Sequence, residues 1–273
     1  MTMFPSACVW NFPPPLAEAL KQVKLTAFHY IDVEPATLDT PGDLQAQKEL
    51  GLKVSCVALD HGLPGGRGLD GREHGGLRKA VPFLKQALNK AADLQAACAY
   101  LSSCGDSRQL NEFGGVLREL ADDAARHQIK LCLEHAPGRA LASASEALRF
   151  VRQLDHPNLH LLLDIGHTLL SREDPSRVIR EAGSRIGYVQ VNDNDGKKDR
   201  HWALLDGRLT REMLAGALEA LKEVHYEGTL GLEVSGDFAS VIGVFSRNRN
   251  LLLRLQLEQE AKSLKEPETR RKG

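Results

Sequence analysis

Four apolar stretches in the second half of the chain each end on a side chain with an oxygen to offer. Residues 130–135 carry Glu134, 159–164 close on Asp164, 186–192 carry Gln190, and 228–234 carry Glu233. Side chains of an extended strand alternate between two faces. With Leu131 and Leu133 turned outward, Cys132 and Glu134 turn inward, and the same parity turns Asp164, Gln190 and Glu233 inward. Three carboxylates gathered at one place repel one another, and buried charge requires a compensating ion. Three carboxylates with an amide oxygen form a hard donor set suited to Mn²⁺ or Mg²⁺. His167, Asp199 and His201 lie close by in sequence, and their nitrogens would open the set to Co²⁺ or Zn²⁺.

A lone acid at a strand end more often caps the next helix than binds a metal. Four consecutive strands ending this way with one parity point instead to a shared site. His61 follows the third strand and Asp32 and Glu34 follow the second, which makes them further candidates. His29, His74, His127, His156, His160 and His225 read as surface or packing residues. Cys132 faces inward but lies deep, with no base partner in view, and does not read as a nucleophile. Trp10, Phe12, Phe28 and Trp202 offer an apolar wall or plain packing.

The elements that must position these groups follow from alternation. Eight strand-like runs, at 8–12, 25–33, 53–60, 97–102, 130–135, 159–164, 186–192 and 228–234, are separated by stretches with 3.6-residue periodicity. Leu77, Val81, Leu84, Leu88 and Ala91 form one helical stripe, which Pro82 is expected to kink. Val116, Leu117, Leu120, Ala121 and Ala124 form another. Ser143 and Glu146 have capping-box spacing ahead of Leu148, Val151 and Leu154. Thr210 reads as the N-cap before Leu214, Ala217, Leu218 and Leu221. Strands alternating with helices imply parallel pairing through crossovers. Eight such units fit a closed (β/α)8 barrel, whose functional groups sit at the carboxyl ends of the strands. An open doubly wound sheet would place a glycine-rich phosphate loop after an early strand. Here the first strand runs into Asn11-Phe12-Pro13 instead. The glycines between 62 and 71 lack that grammar and read as a flexible loop or lid.

Composition narrows the partners. Thirty-five basic and 36 acidic residues leave a net charge of -1, which gives no drive toward nucleic acid or membrane surfaces. No apolar run reaches the roughly 20 residues of a membrane span, and residues 1–15 lack the basic start of a secretory signal. Five scattered cysteines without a CxxC pair suggest reduced, buried thiols and a cytoplasmic protein. Residues 1–257 are expected to form one domain, followed by a charged, disordered tail at 258–273.

The strand ends resemble the xylose isomerase-like barrel superfamily, also called the sugar phosphate isomerase/epimerase or AP endonuclease family 2 group. The matching text is LCLEHAPG at 131–138, LLLDIGHTLL at 161–170, IGYVQVNDNDGKKDRHWALLDGRL at 186–209 and YEGTLGLEV at 226–234. The resemblance implies a TIM barrel with one divalent metal held by Glu134, Asp164, the Gln190 position and Glu233. Gln190 departs from the family pattern, which has histidine there. Its amide oxygen donates more weakly than imidazole, so Mn²⁺ or Mg²⁺ is favoured over Zn²⁺ or Co²⁺. The resemblance makes Glu134 and Glu233 the acid–base pair. His167, Asp199, His201, His61 and Glu34 become substrate-binding candidates.

The activity so implied is a metal-dependent isomerisation or epimerisation of a sugar or sugar derivative. A proton is removed next to a carbonyl, the charge rests on an enediolate, and the proton returns at that carbon or its neighbour. Loss of a β-hydroxyl from a keto-inositol or keto-sugar needs the same groups. An endonuclease IV-like activity draws on Asn192-Asp193 and Asp199-Arg200-His201, but the fourth strand ends on Ser102 and Ser103 rather than on further ligands. A non-catalytic sugar-binding barrel is the remaining alternative.

Overall fold

The computed structural model describes residues 3–12, 14–63, 69, 76–235 and 241–265. Strands and helices alternate from end to end. In order they are β1 (Pro5–Cys8), α1 (Leu16–Leu25), β2 (Tyr30–Val33), α2 (Pro41–Glu49), β3 (Lys53–Ala58) and α3 (Gly76–Asp93). Then come β4 (Cys98–Ser102), α4 (Leu110–Arg126), β5 (Lys130–Glu134), α5 (Ala144–Leu154), β6 (Leu159–Asp164) and α6 (Ile165–Ser171). The chain closes with α7 (Pro175–Ala182), β7 (Ile186–Val191), α8 (Arg211–Glu223), β8 (Leu230–Leu232) and α9 (Val241–Lys265). The eight strands pair in sequence order, all in parallel, and β8 returns to β1 to close the barrel. The chain is therefore one TIM barrel domain. Among the described residues no helix is long and apolar enough to cross a membrane.

Helix starts follow the local chemistry. Ser143 and Glu146 form the reciprocal capping box at α5, and the Thr210 side chain accepts from Met213 N at α8. Thr40 caps α2, with Pro41 as its first residue, where the missing N–H costs nothing. Pro82 lies inside α3 without ending it, because Leu77, Ala80, Leu84 and Leu88 anchor that face in the core.

The first two strands differ from the sequence expectation. Residues 9–11 form a 3-10 turn, so β1 ends at Cys8. Residues 16–25 form α1 around a stripe of Ala19, Leu20 and Val23, residues 26–29 turn the chain, and β2 begins at Tyr30 rather than at 25. The disordered tail is corrected for its first eight residues: α9 runs on to Lys265, and Arg211 donates to Glu258. Residues 266–273 and most of the glycine-rich stretch lie outside the described residues, as does His74.

Two apolar layers result. The larger lies between strands and helices. The smaller fills the barrel bore with Cys56, Ala58, Cys98, Tyr100, Cys132, Leu162 and Tyr188. Toward the amino ends of the strands, Asp32 is fully buried in that bore. It accepts from Ser6 Oγ at 2.7 Å, from Tyr188 Oη at 2.7 Å and from Ser55. Asp32 is therefore a brace of the barrel floor.

Candidate metal centre and acid–base site

Each predicted strand-end residue lands at the carboxyl mouth. Glu134 ends β5 and Asp164 ends β6, and Asp164 stands in register with Gln190 on β7. Glu233 follows β8, its N–H donating to Val191 O. All four are buried.

The two glutamates are held differently. Glu134 Oε2 accepts from Ser102 Oγ at 2.9 Å, and Oε1 lies 3.7 Å from His167 Nδ1. Burial pushes Glu134 up to about 7, against the pull of His167 and with help from Glu233, Asp164 and Asp60. Glu233 Oε1 accepts from Trp10 Nε1 at 3.2 Å and lies 3.5 Å from His201 Nδ1. Burial raises Glu233 as well, opposed by His201, supported by Asp164, and opposed by His61 and Trp10.

Asp164 does two jobs. As N-cap of α6 it accepts from His167 N at 2.8 Å, and its other oxygen accepts from Asn192 Nδ2 at 2.7 Å. A side chain at Gly166 would collide with Asn192, so only glycine permits this approach.

The histidines form a chain through Asp199. His167 Nδ1 lies 2.8 Å from His135 O, and its Nε2 lies 2.9 Å from Asp199 Oδ2. His201 Nε2 lies 2.9 Å from Asp199 Oδ1. Burial opposes charge on both rings. The surrounding carboxylates overcome it and hold His167 well above its usual range and His201 at about 9. Asp199 is lowered despite its burial, because both imidazoles favour its anion.

The loop bearing Asp199 and His201 is fastened at its base. Asp193 accepts from Asn194 N, Gly207 N and Leu209 N at 2.7–2.8 Å. Asn194 Nδ2 donates to Gly166 O at 2.7 Å. Asn192, Asp193 and Asn194 thus tie the loop to the turn that presents Asp164 and His167.

His61, Glu134, His167, Asp199, His201 and Glu233 line a common cavity of about 240 Å³, together with Arg139. Glu34 does not line it. Its carboxylate lies 3.3 Å from His61 Nδ1 and faces a neighbouring cleft with Trp10. Phe12 and Phe28 pack on Phe245 in the outer core rather than on the cavity. Sequence reasoning missed Ser102 as a donor to Glu134 and Asn192 as a brace for Asp164. For Trp10 the sequence suggests an apolar wall or plain packing, whereas its N–H reaches Glu233. Each of these shows only once neighbouring strands are placed in register.

The mouth offers donor atoms for a divalent cation. Gln190 Nε2 lies 3.3 Å from Tyr100 Oη, while its Oε1 is buried without a hydrogen-bond partner among the described residues. Gln190 stands in register with Asp164, and its unpartnered amide oxygen is left to accept from a ligand or a cation. Asp164, His167 and His201 offer atoms within 4.8 Å of one another, whereas the expected carboxylates Glu134, Asp164 and Glu233 do not gather that closely, so the cluster at the mouth is one oxygen with two nitrogens.

Fold and mouth together define a barrel with its polar groups collected at the carboxyl end. The family model for the xylose isomerase-like TIM barrel matches residues 41–258, and the chain belongs to that family. A 3-dehydroshikimate dehydratase of Pseudomonas putida is 32% identical over 128 residues, 44% of this chain and 20% of that protein. An L-ribulose 3-epimerase of Mesorhizobium japonicum is 27% identical over 182 residues, 62% of this chain and 60% of that protein. The matches thus span a fifth of the first relative and three fifths of the second. A solved L-ribulose 3-epimerase superposes with a TM-score of 0.77 at 19% identity, covering 97% of this chain and 99% of that one. A xylose isomerase-like TIM barrel/4-hydroxyphenylpyruvate dioxygenase fusion protein gives 0.75 at 23% identity, covering 96% and 45%.

Proposed function

We propose that the protein is a metal-dependent enzyme that removes a proton next to a carbonyl of a sugar or sugar derivative and returns it, as an epimerase or isomerase. One observation carries this reading: two buried glutamates with raised pKa values, Glu134 and Glu233, line one small cavity with His167, Asp199 and His201. The epimerase relatives support the substrate class.

Glu134, Asp164, Gln190 and Glu233 would hold Mn²⁺ or Mg²⁺, which would serve as a Lewis acid toward the substrate carbonyl. The chain's own residues do the proton work. One glutamate takes the proton from carbon and the other supplies one, each tuned toward neutrality by burial. Charged His167 and His201 face the negative charge that develops on the substrate oxygens. Asp199 keeps both rings oriented, and Trp10 and Ser102 fix the carboxylates. Arg139 and His61 at the rim meet the remainder of the substrate.

A second reading, elimination of water from a keto-cyclitol, is favoured by the dehydratase relative. It needs the same base and one further proton delivered to the leaving hydroxyl.

Incubation with Mn²⁺ or Mg²⁺ in D₂O, followed by NMR, tests the proposal on L-ribulose, D-psicose and 3-dehydroshikimate. Deuterium at the carbon beside the carbonyl, with epimer or ketose isomer formed, is the expected result. Water loss without returned deuterium selects the second reading. Absence of exchange and of turnover on the whole panel overturns both. A cytoplasmic location fits the five free thiols and forms part of the proposal.

A further inference from the structure

Beneath the mouth carboxylates stands a group to which the proposed reaction gives no task. Tyr100 points into the bore from β4, two residues before Ser102, and is 1% exposed. It lines the same cavity as Glu134 and Glu233. Its hydroxyl accepts from Gln190 Nε2 of β7 at 3.3 Å, so the phenol crosses the bore from one strand to the other.

Strand order makes this crossing informative. The barrel closes in the order β1 to β8. A line from β4 to β7 therefore leaves β5 and β6 on one side, and β8 with β1 to β3 on the other. Glu134 ends β5 and Glu233 follows β8. The two carboxylates thus stand on opposite sides of the phenol, and the charges of Glu233 and Glu134 both act on it. The His61 ring meets the Tyr100 ring edge-on, with centroids 6.0 Å apart, and limits its rotation.

A buried phenol ordinarily donates as well as accepts. Tyr188, the other tyrosine of the bore, donates to Asp32 at 2.7 Å. The Tyr100 hydroxyl accepts from Gln190, and among the described residues its own proton has no acceptor. Below it the bore is filled by Cys56, Cys98, Cys132 and Leu162, none of which accepts from it. The acceptor is therefore something that enters the cavity above.

We infer that Tyr100 is a further catalytic residue, whose hydroxyl donates a hydrogen bond to the substrate oxygen that gains negative charge as a proton leaves the neighbouring carbon. This rests on the proposed function. A carbon held between Glu134 and Glu233 carries its oxygen in the plane between them, and the phenol lies in that plane. The bond strengthens as charge grows on the oxygen, so it lowers the transition state more than the bound substrate. The phenol keeps its proton throughout, and the two glutamates remain the groups that exchange protons with carbon.

Tyr100→Phe keeps the ring and removes the donor. On whichever panel substrate the wild type turns over, kcat should fall about 10²-fold while KM changes by less than about threefold, the split expected of a bond made in the transition state. Tyr188→Phe controls for loss of a buried phenol and should keep kcat. A binding measurement stands beside the kinetics. The chain has four tyrosines, so ¹³C labelling at the ζ carbons gives four signals that single Tyr→Phe variants assign. Addition of Mg²⁺ and erythronohydroxamate, a planar mimic of an enediolate, should move the Tyr100 signal toward the phenolate position. Affinity for the mimic should drop at least about tenfold in Tyr100→Phe. Active wild type with kcat and mimic affinity unchanged in Tyr100→Phe overturns the inference and leaves the proposed function standing. So does a lowered Tm with kcat intact, or a Tyr100 signal that stays in place with the mimic bound. A wild type that neither exchanges the carbon-bound proton nor turns over any panel substrate overturns the proposed function, and the inference with it.

Discussion

At the carboxyl mouth, Glu134 and Glu233 are buried with, among the described residues, one conventional hydrogen bond each, from Ser102 and Trp10, and both have raised pKa values. At the amino end, Asp32 is buried just as deeply but accepts from three hydroxyls, those of Ser6, Ser55 and Tyr188. The same functional group is under-coordinated at one end and enclosed at the other. Under-coordination stores reactivity that a substrate and a cation can use. Enclosure stabilises the barrel and leaves nothing to react. One closed sheet thus separates its chemistry from its support.

Substitutions should divide along that line. The largest effect belongs to Glu134→Gln and Glu233→Gln, each expected to cut turnover by roughly 10²–10⁴-fold. Thermal melts at pH 8 should show no loss of stability, since the amide removes a buried charge. A clear fall in Tm would mean that the mouth carboxylates support the fold, and the contrast would break.

Asp193→Ala comes next. It strands the N–H groups of Asn194, Gly207 and Leu209 and should cost about 2–3 kcal/mol. Turnover should fall with it, because Asp199 and His201 lose their fixed approach. Denaturant unfolding beside steady-state kinetics checks both halves.

At the floor, Tyr188→Phe removes a donor to Asp32 and should cost about 1–3 kcal/mol with kcat unchanged. A changed kcat would show that the two ends communicate.

The smallest effect is a pH slope. Burial raises folded Asp32 from 3.8 to about 6, against the hydroxyl hydrogen bonds. The folded chain therefore holds this proton more tightly than the unfolded one. The associated stability is present below about pH 4 and is lost as pH rises through about 6. Unfolding measured from pH 4 to 7 should show this slope flattened in Asp32→Asn.

The mouth was more legible in the sequence than the floor. Glu134, Asp164, Gln190 and Glu233 could be read because each ends an apolar run, and alternation alone fixes their direction. The closed barrel followed from eight alternating units. By contrast, α1 falls in the interval between the first two expected strands, where the short stripe of Leu16, Leu20 and Val23 after three prolines is a weak helical signal. Helix α9 was missed in part because its end is charged. Asp32 was considered beside Glu34 as a site residue. Its enclosure depends on Ser6, Ser55 and Tyr188, which lie 23 to 156 residues away and meet only through strand register. Glu34 was placed on the substrate, whereas it supports His61 from outside the cavity.

The knot of amides and one carboxylate at 192–194 joins both feet of the segment that follows, through Gly207 and Leu209, to the turn at Gly166. Residues 195–206 are therefore moored at both ends, with Ala203 and Leu204 packed into the core between. Asp199 and His201 aside, the exposed positions of such a cassette tolerate new side chains without unseating the barrel, and engineers or natural drift could retune what the mouth admits by rewriting those alone.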